Sequence, residues 1–507
     1  MGLLTWEFAV FVAAALLLYY VLPRKVQWIV LLAANLAFYA FGGPQTLLYL
    51  GFTTLTTWLA GLILGRMNAD RKTGKGRKRL VTAAVLILNF GLLFAVKYWN
   101  TLAAELSRPG RGLPQLHLLM PLGLSFYIFQ SAGYVIDCYR GKQPPEKNPA
   151  KYALFVSFFP QLIQGPISRF RELGAQLTAP HAPSADAFKY GLQRILWGLL
   201  KKLVIADRAA IVANAVFGSH TSYGGLITAL GVLFYCIQLY CDFSGGIDIA
   251  LGVAEMFGIA LPENFRRPIL ATSLPDFWRR WHITLGAWMR DYVFYPLALS
   301  RAAGKLGRFA RKHIGNRAGK ILPTALATFP VYFLIGVWHG GQFKYLVFGL
   351  YQSVLITGAQ LLTGVFHSVR QKLRLSDRQP LYRAFQMLRT MLLIFIGRYL
   401  TRAADLGQAW DMLRRTFTMP CKYQLRDGTL LRLGGMRVAD YLIVAAGMAV
   451  LLFVEWQQER GVRIRKSLEQ KNAFVQWLCV FLPLLILLLT LVFRGEAIDA
   501  TMIYQQV

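Results

Sequence analysis

The feature that most constrains this chain is a succession of about eleven apolar stretches, several of them as long as a membrane span and several broken or short. A hydrocarbon core about 30 Å thick takes about 20 apolar residues in a helix. Leu3 to Leu22 is closed by Pro23, Arg24 and Lys25. Val26 to Phe41 and Thr46 to Gly65 are separated by Gly42, Gly43 and Pro44. Val81 to Trp99 comes next, then Leu118 to Ile136, interrupted by Pro121. The later candidates are Leu226 to Ala254, Ile321 to Trp338, Tyr345 to Leu362, Phe385 to Ile396, Tyr441 to Val454 and Phe474 to Phe493. With no water at that depth, backbone groups must pair inside helices. Composition agrees, because hydrophobic residues are 55% and charged residues only 16%, against about 25% charged in a soluble domain. The expected fold is an all-α polytopic membrane protein, not the soluble domains that 507 residues would otherwise suggest.

The first stretch has no basic amino end, carries Glu7 and shows no small-residue cleavage pattern before Arg24, so it reads as a retained helix. An aromatic content of 14% excludes disorder, and five cysteines in 507 residues exclude a disulfide scaffold. The net charge of +32 also fits a nucleic-acid binder in principle. Its placement argues otherwise, because the clusters flank spans and no folded basic domain appears. They serve orientation and anionic lipid contact, and no nucleic-acid partner is expected. The loop with Arg66, Arg71, Lys72, Lys75, Arg77, Lys78 and Arg79 reads as cytoplasmic, which puts the amino terminus outside and Arg24 and Lys25 inside. Arg140, Lys142 and Lys147, and the cluster Arg460, Arg463, Arg465 and Lys466, also read as inside. The Arg-rich stretch Arg398 to Arg437 then falls outside, against the rule, so charge leaves the topology of residues 366–440 open. No internal repeat is visible, and RQKLRLSDRQPLY (Arg370 to Tyr382) reads as a polar linker.

Polar residues inside apolar stretches are costly in lipid and mark three candidate sites. At Trp338-His339-Gly340-Gly341 an apolar helix arrives at a histidine, two glycines break it, Gln342, Phe343 and Lys344 follow, and a second helix starts near Tyr345. A broken helix can line a cavity, and an imidazole can act as a base near neutral pH. A histidine bonded at a helix end fits the same pattern. The second site is SLPDFWRRWHITLGAWMRDY (Ser273 to Tyr292). Ser273 and Asp276 have capping-box spacing. Trp278, Trp281, His282, Leu285, Trp288, Met289 and Tyr292 then form one aromatic stripe of an expected amphipathic helix, with Arg279 and Arg280 on other faces. His282 is open to a packing or a catalytic reading. In the third, Tyr240 to Asp248, the carboxylates Asp242 and Asp248 flank Ser244, Gly245 and Gly246. Buried carboxylates need partners, and Arg279 and Arg280 are the candidates, as a structural network or a catalytic one. No CxxC, HxxH or HExxH spacing occurs, so no metal site is expected. Cys138, Cys236, Cys241 and Cys479 fit reduced packing roles.

Five motifs, in this order, carry a resemblance to a family: YVIDCYRG (Tyr134 to Gly141), SFFPQLIQGPISRFREL (Ser157 to Leu173), QLYCDFSGGIDIALG (Gln238 to Gly252), PENFRRPI with SLPDFWRRWHITLGAWMRDYVFYPL (Pro262 to Leu297), and GVWHGGQFKYLVFGLYQ (Gly336 to Gln352). They resemble the membrane-bound O-acyltransferase family, in its bacterial polysaccharide and cell-wall acylation branch. RAADLGQAWDMLRR and the final IYQQV are similar to the alginate-type members.

The resemblance implies a ring of about eleven transmembrane helices, with re-entrant and amphipathic helices around a central funnel, in a bacterial cytoplasmic membrane. Residues 118–365 would be the catalytic core, 1–117 amino-terminal helices with the basic loop, and 366–507 the linker and carboxyl-terminal helices. His339 matches the family's essential histidine and His282 the second one. Asp242, Ser244, Asp248, Trp278, Arg279, Arg280, Trp281, Trp338 and Gln342 would support the funnel. No bound cofactor is implied. The donor would be acetyl-CoA or an acyl carrier protein thioester from the cytoplasm. The acceptor would be an extracytoplasmic polysaccharide or a secreted SGNH-type acyltransferase. Three other readings stay open: D-alanyl transfer from a carrier protein to teichoic acid, a lipid-linked sugar transporter or flippase, for which broken helices also suit, and a structural assembly subunit, in which both histidines would be dispensable.

Overall fold

The computed structural model describes residues 2–70, 72, 74–107, 112–162, 164–420, 424 and 426–493. Arg71 of the basic loop, Ile163 of the SFFPQLIQGPISRFREL motif and the final IYQQV lie outside the described residues. Regular structure is helical, and the only strand-type pairing among the described residues is one bridge, Phe265 to Trp281.

In chain order, α1 (Trp6–Val21) starts where the Thr5 hydroxyl accepts from the Phe8 N–H, and α2 (Gln27–Ala40) and α3 (Thr46–Ala69) come after it. The helix α4 (Lys75–Leu106) passes through a π-turn at Phe94–Tyr98. Next come α5 (Leu124–Tyr139), then α6 (Pro149–Ser157), which Asn148 caps with Pro149 in the first turn, and α7 (Phe170–Thr178). The helix α8 (Ala185–Leu199) runs on into a π-helical segment, Leu200–Ala206, and is followed by α9 (Asp207–Gly218) and α10 (Gly225–Met256). Later helices are α11 (Leu274–Arg280), α12 (Ile283–Met289), α13 (Arg301–His313), α14 (Asn316–His339), α15 (Phe343–Leu361), α16 (Thr363–Lys372), α17 (Pro380–Arg402), α18 (Leu406–Thr418), α19 (Val438–Glu459) and α20 (Ala473–Phe493), with shorter turns of helix between some of them.

Among the described residues, six helices are long and apolar enough to cross a membrane: α3, α4, α10, α14, α19 and α20 over Ala473–Thr490. A seventh counts if α15 and α16, bent by 60°, form one span. The chain is a membrane protein, and six or seven of the about eleven expected spans meet the length and apolarity of a crossing. Others fall short in length. At about 1.5 Å per residue, α1, α2 and α5, with 16, 14 and 16 residues, reach only about 21–24 Å of a core about 30 Å thick. The helix α5 is instead buried on nearly every side, from Leu124 to Cys138. The 23 residues of α17 include Arg383, Arg389, Arg398 and Arg402.

The chain sorts into two compact units. The first comprises Met1–Val204, Cys241–Glu263 and Arg463–Val507. In it, Phe8, Phe38 and Phe159 meet at ring-centroid distances of 5.6–6.4 Å. A β-carbon on Gly198 of α8 would stand 2.5 Å from the Gly245 carbonyl oxygen on α10, and one on Gly191 would stand 2.7 Å from that of Gly252. Both helices therefore carry glycine at a seven-residue interval where they cross. Small residues of this kind let membrane helices approach closely, which accounts for Gly245 in the DFSGG motif.

The second unit comprises Ile205–Tyr240 and Asn264–Val462. Its α14–α15 hairpin closes on a similar contact, where a β-carbon on Gly336 would lie 2.4 Å from the Gly349 Cα. The Tyr351 hydroxyl ties α15 to the Leu393 carbonyl of α17 at 2.7 Å.

Candidate active site

The second unit assembles the histidine motifs. Ser273 caps α11, its hydroxyl accepting from the Asp276 N–H at 3.2 Å, while the Asp276 carboxylate accepts from the Thr272 N–H. The single amphipathic helix expected over Ser273 to Tyr292 does not form. The chain breaks after Arg280, and His282 takes up a left-handed conformation at φ 48° before α12 begins. The break comes from pairing with a distant segment. Arg266 N–H donates to the Arg280 carbonyl at 2.8 Å, Ile283 N–H donates to the Asn264 carbonyl at 3.0 Å, and Phe265 and Trp281 form the bridge. A non-glycine residue held at positive φ is backbone strain that the surrounding bonds must stabilise.

Asn264 is the residue that holds the break. Its side-chain oxygen accepts from the Thr284 N–H at 3.1 Å, from the Thr284 hydroxyl at 2.9 Å, and from His282 Nδ1 at 3.3 Å. The backbone donor from Thr284 identifies that atom as the amide oxygen, which only accepts. The hydrogen of the neutral ring therefore sits on Nδ1 and the lone pair on Nε2. Both residues are fully enclosed, with His282 2% exposed and Asn264 0%. Burial pushes the His282 imidazole down to about 3, so it is neutral across the physiological range.

The rings connect this histidine to the other. His282 meets Trp338 edge-on at 5.3 Å between centroids, and Trp338 meets His339 at 5.1 Å. His339 is the last residue of α14 and is only partly buried. Tyr345 stacks on it at 6.2 Å, and Phe348 approaches edge-on at 6.0 Å. Gly340 is required here because a β-carbon would come within 2.6 Å of the Tyr345 ring. Gln342 is the N-cap residue of α15, in an extended conformation.

The remaining aromatic and basic candidates surround this row. Trp278 Nε1 donates to the Gln352 side-chain oxygen at 3.3 Å and packs against Tyr332. Trp281 stacks on Phe277 and lies under the Arg398 guanidinium at 5.3 Å. Arg280 bonds both Glu459 oxygens at 3.0 Å and Asp276 at 3.1 Å. Arg279 is 72% exposed and pairs with Asp276 at 3.5 Å.

Asp242, Ser244 and Asp248 belong to the first unit, and their partners differ from the expected Arg279 and Arg280. Lys202 donates to Asp242 at 2.6 Å, Lys201 to Asp248 and to the Ser244 hydroxyl at 3.0 Å, and Arg194 to Asp248 at 3.1 Å. Both lysines stand on the π-helical segment Leu200–Ala206 and are buried. The signal for them is in the sequence, where GLLKKLVIA puts two cations inside an apolar run. Asn264 has no such signal beyond its place in PENFRRPI.

Residues 143–394 match the sequence profile of the membrane-bound O-acyltransferase (MBOAT) family. A probable alginate O-acetylase AlgI from Pseudomonas syringae pv. tomato is 31% identical over 454 residues, covering 89% of this chain and 81% of that protein. The chain belongs to the membrane-bound O-acyltransferase family. It is a membrane O-acyltransferase. A peptidoglycan O-acetyltransferase from Helicobacter pylori is 32% identical, with 65% of this chain and 63% of that protein aligned. A teichoic acid D-alanyltransferase from Bacillus subtilis is 30% identical, with 60% and 73% aligned. His282, Trp338 and His339 all fall inside the stretch matched to the O-acyltransferase family.

Proposed function

We propose that this O-acyltransferase moves an acetyl group from a cytoplasmic thioester donor to an extracytoplasmic polysaccharide or to a secreted SGNH-type acyltransferase acting on one. The chain sits in a bacterial cytoplasmic membrane with its amino terminus outside. The observation that carries the acetyl reading is the alginate O-acetylase likeness, which extends over 81% of that relative. The donor is acetyl-CoA or an acetyl carrier protein, and no bound cofactor takes part.

His339 is the catalytic base in this reading. Its imidazole takes the proton from an acceptor hydroxyl as the oxygen attacks the thioester carbonyl. The carbon–sulfur bond then breaks, and the imidazolium returns the proton to the departing thiolate. His282 has a different part. A neutral imidazole has one N–H, and here it points to Asn264. It therefore has no hydrogen left to polarise a carbonyl, and burial keeps it from acting as an acid. It is a positioning residue, acting through its packing on Trp338, which in turn flanks His339.

D-alanyl transfer to teichoic acid is the second reading, favoured by the alignment to 73% of a D-alanyltransferase. Membranes carrying the full chain separate the two when supplied with labelled acetyl-CoA, labelled acetyl carrier protein or labelled D-alanyl carrier protein. Acetyl label reaching polymer or partner is the expected result. Transfer from the D-alanyl carrier alone would establish the second reading, and no transfer from any donor would overturn both.

A further inference from the structure

Three cations of the second unit have no carboxylate to pair with. Arg398 is 7% exposed and its guanidinium lies over the Trp281 ring at 5.3 Å. Among the described residues it has neither a hydrogen-bond acceptor nor an ion-pair partner. Lys344 is 8% exposed and donates to the Ala403 carbonyl at 2.7 Å, which leaves two of its N–H groups unspent. Arg402 donates to the Asn214 side-chain oxygen at 2.7 Å and, among the described residues, also forms no ion pair. Burying a charge without a partner is costly. An aromatic face attracts a cation, but it does not replace acceptors for the N–H groups.

These cations gather in one place. Tyr235 lies within electrostatic reach of both arginines, and Lys344 and Tyr345 lie within reach of Arg402. Asp405 is also near Lys344, but its carboxylate caps α18, accepting from the Gln408 N–H at 2.8 Å. The Lys344 ammonium stands 5.1 Å from the centre of the Tyr345 ring, and His339 stacks on that ring at 6.2 Å. The cations therefore sit beside the proposed base.

Two ties set their level. Lys344 bonds to Ala403 and Tyr351 to Leu393, so α17 runs antiparallel to α15 and ends where α14 reaches His339. The other end of α14 carries Arg317 and Lys320, and α13, packed on it, carries five more cations and no acid. That end reads as cytoplasmic. The 24 residues of α14 extend about 36 Å at about 1.5 Å each, so Arg398, Arg402 and Lys344 lie toward the outer face.

We infer that Arg398, with Arg402 and Lys344, binds an oxyanion (a carboxylate or a phosphate) that an acidic polysaccharide acceptor carries close to the hydroxyl being acylated. The inference rests on the proposed outer acceptor and names its charge. The guanidinium fork matches either oxyanion bidentately. Place argues against the donor's phosphates, because the proposed donor enters at the opposite end of α14 and its pantetheine arm separates them from the thioester. Enclosure argues against a lipid headgroup, because Arg398 and Lys344 are both more than nine-tenths buried. An acidic polysaccharide repeats an oxyanion within a few bonds of its hydroxyls, so one stretch of sugar can meet both the cations and His339.

The test needs no acyl transfer. The full chain in phosphatidylcholine nanodiscs is titrated by calorimetry with an oligogalacturonate, a phosphate-linked sugar oligomer and a neutral malto-oligosaccharide. The wild type should bind an anionic oligomer roughly tenfold better than the neutral one, and the oligomer preferred identifies carboxylate or phosphate as the source. R398Q should weaken that binding roughly tenfold, and R398K, which keeps the charge but not the fork, by less. Without ligand, R398Q should unfold at no lower temperature than the wild type, because it removes an unpaired charge. In transfer assays it should raise KM for the acceptor and leave KM for the donor unchanged. Equal binding of neutral and anionic oligomers overturns the inference, and so does equal binding by wild type and R398Q. A lower unfolding temperature for R398Q with binding unchanged would assign Arg398 to holding Trp281. Selective binding without transfer from any donor would overturn the proposed function and leave the anion site standing.

Discussion

In the first unit, Asp242 is completely buried and Lys202 comes with it, while Asp248 is met by Lys201 and Arg194. In the second unit, His282 is buried just as deeply, beside an amide oxygen and an indole ring. One cluster keeps its charges by pairing them, and the other keeps a titratable ring by leaving it neutral. Burial of a charge is tolerated only with partners, so the paired cluster is committed to holding helices together. A neutral ring beside a partly open histidine is committed to geometry, and in the proposed reaction His339 is the group that exchanges the proton. The proposed function thus gives structure to the first region and chemistry to the second, and each assignment can be broken separately.

The largest expected effect lies at His339. Removing a general base costs about 10²- to 10⁴-fold in rate. A His339→Ala variant should therefore lose that much acyl transfer per molecule while its amount in membranes stays at the wild-type level. Undiminished transfer at equal amount would remove the chemistry from this region altogether.

The first region should fail in the opposite way. Lys202→Met leaves the Asp242 carboxylate buried beside a thioether, and breaking a buried pair costs about 3–5 kcal/mol. The expected outcome is a large drop in thermal stability and in membrane yield, with transfer per remaining molecule little changed. Replacing both residues, as Lys202→Met with Asp242→Leu, should recover most of the loss, because no unpaired charge remains. Additive losses in that double-mutant cycle would show that the two side chains do not act as a pair.

How much of this the sequence discloses depends on whether the cause is local. The break after Trp338-His339 is legible because two glycines follow directly, and Ser273 is legible as a cap by its spacing to Asp276. The apolar runs are legible, but hydropathy alone does not separate a membrane-length helix from a short helix buried on nearly every side such as α5. The left-handed turn at His282 is set by Asn264, 18 residues away, so helical periodicity carries straight through it. The pairing of Asp242 with Lys202 spans 40 residues, which is why the arginines of the WRRWH segment are the natural but mistaken candidates. The Arg-rich stretch after Arg398, awkward for the charge rule, is partly absorbed inside the second unit. Arg398 lies over Trp281, Arg402 donates to Asn214, and Arg414 and Arg415 pair with Asp411.

Asn264 offers the next test, because it links the turn to the neutral state of His282. Asn264→Ala removes the acceptor for three hydrogen bonds. Leaving buried donors unsatisfied costs about 1–3 kcal/mol each, and the ring is then free to reorient against Trp338. Transfer should fall roughly tenfold, in kcat rather than KM, given the modest displacement that losing one bond allows. A fall confined to protein amount, with kcat per molecule intact, would reduce Asn264 and His282 to packing.

The smallest effect concerns acid. In the folded chain burial holds the His282 imidazole at about 3, whereas in the unfolded chain it titrates near its ordinary value of about 6.5. Between those values the unfolded chain binds a proton that the folded chain does not, so unfolding becomes more favourable as pH falls. The contribution is absent above about 6.5 and grows by about 1.4 kcal/mol per pH unit below it, reaching about 2 kcal/mol at pH 5. His282→Gln keeps an N–H that can reach Asn264 and cannot take up a proton. Comparing thermal unfolding at neutral pH and at pH 5 should therefore show a larger loss for the wild type than for the variant. The carboxylate–lysine cluster is identical in both proteins, so its own titration cancels from the difference. Equal losses would mean that His282 is protonated in the folded chain at pH 5, and the contrast between a paired, charged region and a neutral, positioning one would then fail on its second half.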